Sequence, residues 1–132
     1  MSTVAAAAPA PALTVEVDVS LIVPISHQRA DVRGLVIALS GELERLKKRW
    51  ECILVFDGVQ GQARQAGLAL QAETAGRVKT ITLHRPFGES VCLASAFEHA
   101  RGALILPAPQ YVQTDPRGIE ALFRTLDAGA DF

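Results

Sequence analysis

The stretch Trp50 to Gly58 (Trp-Glu-Cys-Ile-Leu-Val-Phe-Asp-Gly) constrains this chain more than any other, with a polar start, five uninterrupted apolar residues and an abrupt Asp-Gly stop. A strand with one wet face would alternate polar and apolar residues, so the unbroken run describes a strand covered on both faces. Such strands belong to parallel sheets with helices packed on either side, and in open sheets of that kind ligands gather at the carboxyl ends of the strands. Asp57, the first charge after the run, is therefore a functional candidate. The plainer alternative is a turn residue ahead of Gly58.

At 132 residues and 49% hydrophobic, the chain is sized to fold as one domain with a real core. A net charge of −1 and an aromatic content of 5% leave neither the basic face nor the stacking surface that nucleic-acid binding uses. Cys52 falls inside the central run and Cys92 inside an expected helix, which suits two small core residues in a reducing compartment rather than a disulfide. Cys and His residues form no metal-binding spacing. Met1 to Ala12 are mostly Ala, Pro, Ser and Thr, lacking the basic and leucine-rich regions of a signal peptide, so residues 1–14 read as an unstructured leader and 15–132 as the folded domain. Apolar runs fall well short of the roughly 18 residues that span a bilayer, and the expected location is cytoplasmic.

From Val19, Val-Ser-Leu-Ile-Val-Pro-Ile reads as a first strand, closed by Ser26, His27, Gln28 and Arg29. A helix follows with Val32, Leu35, Val36, Leu39, Leu43 and Leu46 on one stripe. Beyond the Trp50 strand, Gln62 to Ala75 suits a second helix ended by Gly76, and Arg77 to Leu83 alternates as an outer strand should. Phe87-Gly88-Glu89-Ser90, then Val91, Ala94, Phe97 and Ala100, describe a glycine turn entering a helix that ends at Gly102. Amides at such a helix start can accept an anion; ordinary capping by Ser90 is the plainer reading. Ala103 to Leu106 is a short fourth strand. Asp115-Pro116 then opens a last helix, with Ile119, Leu122, Phe123 and Leu126 on its apolar stripe. His84 and His99 read as structural or surface residues.

The alternation of strands and helices predicts an α/β, doubly wound three-layer sandwich with a mainly parallel, Rossmann-like sheet of order 3-2-1-4. Its crevice would be bordered by Ser26 and His27, by Asp57, and by the Pro107 to Tyr111 loop. No GxGxxG or GKS/GKT follows either early strand, so dinucleotide and P-loop devices are absent. A phosphoacceptor receiver domain fits less well, since no matching Lys follows a later strand.

With these strands placed, Val19 to Phe132 resembles the nucleotide-binding half of a family 2 inverting glycosyltransferase of GT-A fold. Ser20-Leu-Ile-Val-Pro-Ile-Ser-His-Gln resembles the family's opening strand and its Pro-Val-Tyr-Asn-Glu turn, and Glu51-Cys-Ile-Leu-Val-Phe-Asp-Gly resembles Glu-Ile-Ile-Val-Asp-Asp-Gly. Leu83-His-Arg-Pro-Phe-Gly-Glu-Ser and Ala100-Arg-Gly resemble the Arg-Asn-x-Gly segment and the helix ending Ala-x-Gly. Gly102 to Pro116 aligns without a gap on the family's Gly-Asp-Tyr to Asp-Ala-Asp-Leu-Gln-x-Asp-Pro stretch.

The resemblance implies candidate nucleotide contacts at Pro24, Ser26, His27, Asp57, Arg85 and Gly88, with Asp57 at the position that meets the uracil ring. Family members hold the diphosphate through magnesium or manganese on an Asp-x-Asp motif, whose positions here are Pro109, Gln110 and Tyr111. Proline and a phenol are poor ligands for those ions, so no metal and no cofactor are expected in this chain. The family's catalytic base lies beyond the last residue given, so no catalytic residue is assigned. Two functions follow: a donor-side domain related to nucleotide-sugar-dependent transfer, binding a nucleoside diphosphate or nucleotide sugar weakly and lacking autonomous metal-dependent activity, or a non-catalytic binding or oligomerisation module on the GT-A fold. An open sheet edge after the fourth strand would favour a homo-oligomer or a covering partner.

Overall fold

The computed structural model describes residues 16–108. The expected leader, the degenerate positions Pro109 to Tyr111 and the helix from Asp115 lie outside the described residues. Four strands, β1 (Val19–Ile25), β2 (Trp50–Asp57), β3 (Val78–Leu83) and β4 (Leu104–Pro107), form one sheet of order β3-β2-β1-β4, and every pairing is parallel. Helices α1 (Val32–Arg45), α2 (Gln62–Glu73) and α3 (Glu89–Phe97) make the crossovers. The expected α/β, Rossmann-like sheet and its order are therefore present.

Side-chain parity along the strands builds two cores. Leu21, Val23 and Ile25 of β1 with Cys52, Leu54 and Phe56 of β2 pack against Val32, Leu35, Val36 and Leu43 of α1 and Ala63 and Leu70 of α2. The alternate residues Ile22, Ile53 and Val55 meet Cys92 and Ala96 of α3 on the opposite face. All eight residues of β2 are buried, as the unbroken run requires. Because α1 and α2 share one face while α3 covers the other, the winding reverses between β3 and β4. That reversal places a crevice at the carboxyl ends of β1 and β4.

Pro24 sits in a strand with neighbours on both sides, where a proline ordinarily removes a ladder hydrogen bond. The Ile22 carbonyl oxygen accepts from the Ala108 amide at 2.9 Å, so even-numbered positions of β1 turn their backbone groups toward β4, and Pro24 lies beyond the last described pair, Ile22 opposite Pro107.

Four local expectations are corrected. Helix α3 ends at Phe97 rather than continuing to Gly102, and its inward residues are Cys92 and Ala96, whereas Val91, Ala94 and Phe97 are exposed. Small residues one turn apart let the helix approach the sheet closely, and the bulkier apolar side chains fall outside. Ser90 does not cap this helix: Gly88 occupies the cap position, without a side-chain cap bond, and Ser90 lies within the first turn. Finally, β4 runs Leu104–Pro107, one residue later than expected, which puts a proline at a strand terminus where its missing N–H is tolerated. Helix α2 closes earlier than Ala75, through Ala75 and Gly76 at φ 53° and 87°.

Candidate functional site

The carboxyl edge of the sheet is assembled from three loops. The first follows β1: Ser26 and His27 are exposed, the His27 carbonyl accepts from the Ala30 amide at 3.1 Å, and His27 Nδ1 accepts from the Arg29 amide at 3.1 Å. These bonds bend the chain tightly into α1, which Asp31 caps by accepting from the Gly34 amide at 3.0 Å. Gln28 and Arg29, with Gly61 and Gln62 at the start of α2, line an open hollow of about 480 Å³ beside this turn.

The second and third loops are fastened together. The Asp57 carboxylate, 8% exposed, accepts from the Phe87 amide at 2.7 Å through one oxygen and from the Gly88 amide at 3.0 Å through the other. Gly58, at φ 73°, donates its amide to the Leu83 carbonyl at 3.0 Å, and a Cβ there would come within 2.6 Å of the Pro86 nitrogen. Only glycine accommodates both that conformation and that approach. The amides that the sequence offered as an anion site are thus met by a carboxylate from this same chain. Arg85 projects from the third loop with its guanidinium 5.0 Å above the Phe87 ring, and the His84 ring meets the same phenyl edge-on at 5.5 Å.

Of the residues proposed from sequence, Pro24, Ser26 and His27 stand at the carboxyl end of β1, while Asp57 and Gly88 are joined by a hydrogen bond beyond β2 and β3, with Arg85 stacked on Phe87 in the same loop. Asp57 also touches α3 electrostatically: burial, then the Asp57 charge, pushes the Cys92 thiol up to about 11. Cys52, buried in β2, is pushed up to about 12 by burial and the nearby Glu51 charge. Both thiols are free and buried, and neither has the lowered pKa of a nucleophilic cysteine.

At the opposite end of the sheet lies a site that sequence reasoning missed. Glu51, 1% exposed, accepts from Ser20 Oγ at 2.6 Å, the Arg101 amide at 2.7 Å and Lys79 Nζ at 2.9 Å. Ser20 Oγ in turn accepts from the Gly102 amide at 2.8 Å, and a Cβ on Gly102 would lie 2.7 Å from that oxygen. Burial works against the Glu51 charge, but the Ser20, Arg101 and Lys79 bonds outweigh it and hold the carboxyl below the ordinary glutamate value. The signal available in sequence was an acid inside a run destined for two-sided burial.

Among the described residues no group of three or more His, Cys, Asp or Glu side chains could hold a metal ion. At the carboxyl edge the buried acid is Asp57, whose two oxygens are already engaged by amides. The positions where the GT-A resemblance places the metal ligands, Pro109 to Tyr111, lie outside the described residues. No helix among them is long and apolar enough to cross a membrane.

Parallel strands in this order, with a glycine-locked Asp-Gly turn facing an Arg-x-x-Gly loop, set the geometry against which known proteins can be compared. The undecaprenyl-phosphate 4-deoxy-4-formamido-L-arabinose transferases of Salmonella paratyphi A, Salmonella dublin and Salmonella enteritidis PT4 are each 26% identical over 113 residues, 86% of this chain. This chain is similar in sequence to those transferases. It spans 35% of the length of each. No family model matches it.

Proposed function

We propose that this chain is a donor-side glycosyltransferase domain that binds a nucleoside diphosphate or nucleotide sugar at the crevice between β1 and β4, without a metal ion and without autonomous transfer activity. The observation that carries the reading is the pairing of a GT-A-like sheet, similar in sequence to glycosyltransferases, with a sequence that has Pro109, Gln110 and Tyr111 where the metal-binding acids would stand. The relatives are named for undecaprenyl phosphate and a formamido-arabinose; at 35% of their length, this chain is assigned the nucleotide side alone. Ser26 and His27 would border the ligand from the first loop, and Arg85 would meet its phosphates from the third. Pro24 precedes them in β1, and Gly88, at φ 98°, turns the third loop into α3.

Among the described residues Arg29 and Arg85 are the arginines proposed for the crevice, and exposed charge contacts are worth about 1 kcal/mol or less each. Uridine or guanosine diphosphate is therefore expected to bind weakly, in the high micromolar range or above, with no tightening by manganese or magnesium. Calorimetry or amide-shift titration with and without manganese checks this. Metal-dependent micromolar binding, or sugar-nucleotide turnover by this chain alone, would overturn the reading. Absence of any binding would favour a non-catalytic assembly module built on the same fold.

A further inference from the structure

Asp57 stands at the position where the resemblance places a contact to the base, but its surroundings assign it other work. One oxygen holds the Phe87 amide at 2.7 Å and the other holds the Gly88 amide at 3.0 Å, bonds that join segments 30 and 31 residues apart. The carboxylate is 8% exposed, and it lies over the start of α3, where the helix dipole favours negative charge. Gly58 reinforces the join by packing its backbone on Arg85 and Pro86 and bonding to Leu83. The next link is Phe87: its amide is tied to Asp57 and its ring lies 5.0 Å beneath the Arg85 guanidinium.

We infer that Asp57 is a positioning residue, which fixes the loop of residues 84–88 and through Phe87 the direction of Arg85, so that its effect on a bound nucleotide runs through that loop. The inference rests on the nucleotide reading for its ligand, but not for the bonds themselves. A carboxylate spread across two amides cannot be copied by a carboxamide, which offers one acceptor oxygen. A base contact would make Asp57 discriminate between bases; a positioning role makes it affect the phosphate contact of Arg85 and treat all bases alike.

The test uses the full chain, with uridine diphosphate, cytidine diphosphate and inorganic pyrophosphate as probes, comparing Asp57→Asn, Arg85→Ala and the double variant. In Asp57→Asn, hydrogen exchange at the Phe87 and Gly88 amides should quicken, and affinity for all three probes should fall together by about tenfold. The double variant should bind no more weakly than Arg85→Ala, because both changes remove one contact. A loss confined to the uridine probe, or fully additive losses, would overturn the inference, as would unchanged protection of the two amides. If the parent chain binds none of the probes, the nucleotide reading fails by itself, and amide exchange still decides whether Asp57 holds the loop. Should Asp57→Asn not fold, Phe87→Ala keeps the carboxylate in place and removes the ring beneath Arg85; equal weakening of all three probes supports the inference, and unchanged affinity overturns it.

Discussion

Glu51 holds its charge inside a sheet because donors from three residues, Ser20, Lys79 and Arg101, converge on it, and the same arrangement makes it sensitive to acid. Its folded pKa lies below the ordinary value near 4.5, so the stability it contributes is fully present above that value and is lost as pH falls through the folded pKa. Glu51→Gln should therefore lower stability at neutral pH and flatten the decline as pH falls below about 4.5, as read by urea unfolding at a series of pH values. Removing the charge leaves the Lys79 ammonium and the Arg101 amide short of a partner, at an expected cost of about 2–4 kcal/mol near pH 7. None of this was legible when Glu51 was read as the polar start of a strand. Its two-sided burial could be inferred from the run that follows, but its partners lie 28 to 50 residues away. Asp57 was legible as a residue of consequence for its place at a strand end, and its amide partners were hidden for the same reason of distance.

Among the elements, α1 announced itself because large apolar residues recur at helical spacing, and it buries four of the six that formed the expected stripe. Helix α2 carries less pattern, since its buried residues are Ala63, Gly67 and Leu70. Helix α3 was expected but its inward face was not, because the side chains that face the sheet are a cysteine and an alanine. A pattern of small residues carries little hydrophobic signal, and the eye follows Val91 and Phe97 to the wrong face. The structure makes a direct test available. Ala96→Leu, which forces a branched side chain into a fully buried position, should destabilise by about 1–3 kcal/mol. Val91→Gln, at 40% exposure, should stay within about 0.5 kcal/mol. Thermal unfolding of the two variants side by side would separate them, and the reverse order would restore the sequence-based orientation.

Across the whole molecule, the sheet keeps its two polar assemblies at opposite ends: the Glu51 cluster at the amino ends of the strands and the Asp57 unit at the carboxyl ends. Strand order was legible because four runs and three crossovers leave few right-handed solutions. Which end would be functional followed from the same topology. The separation predicts that Ser20→Ala lowers unfolding free energy by about 1–2 kcal/mol while nucleoside diphosphate affinity changes less than twofold. Denaturant melts and titration of the same sample check both halves.

The bond from the Gly102 amide to Ser20 closes a span of 82 residues. In the language of folding rates, closing that span directly from the unfolded chain would cost about 4 kcal/mol of chain entropy before any constant term, against four paired strand positions in return. Local crossovers such as α1 between β1 and β2 close sooner and cost less, and each one formed shortens the span left to close. The order of assembly expected from this is β1, β2 and β3 first and β4 last, with burial of the Glu51 charge completed when the final strand arrives.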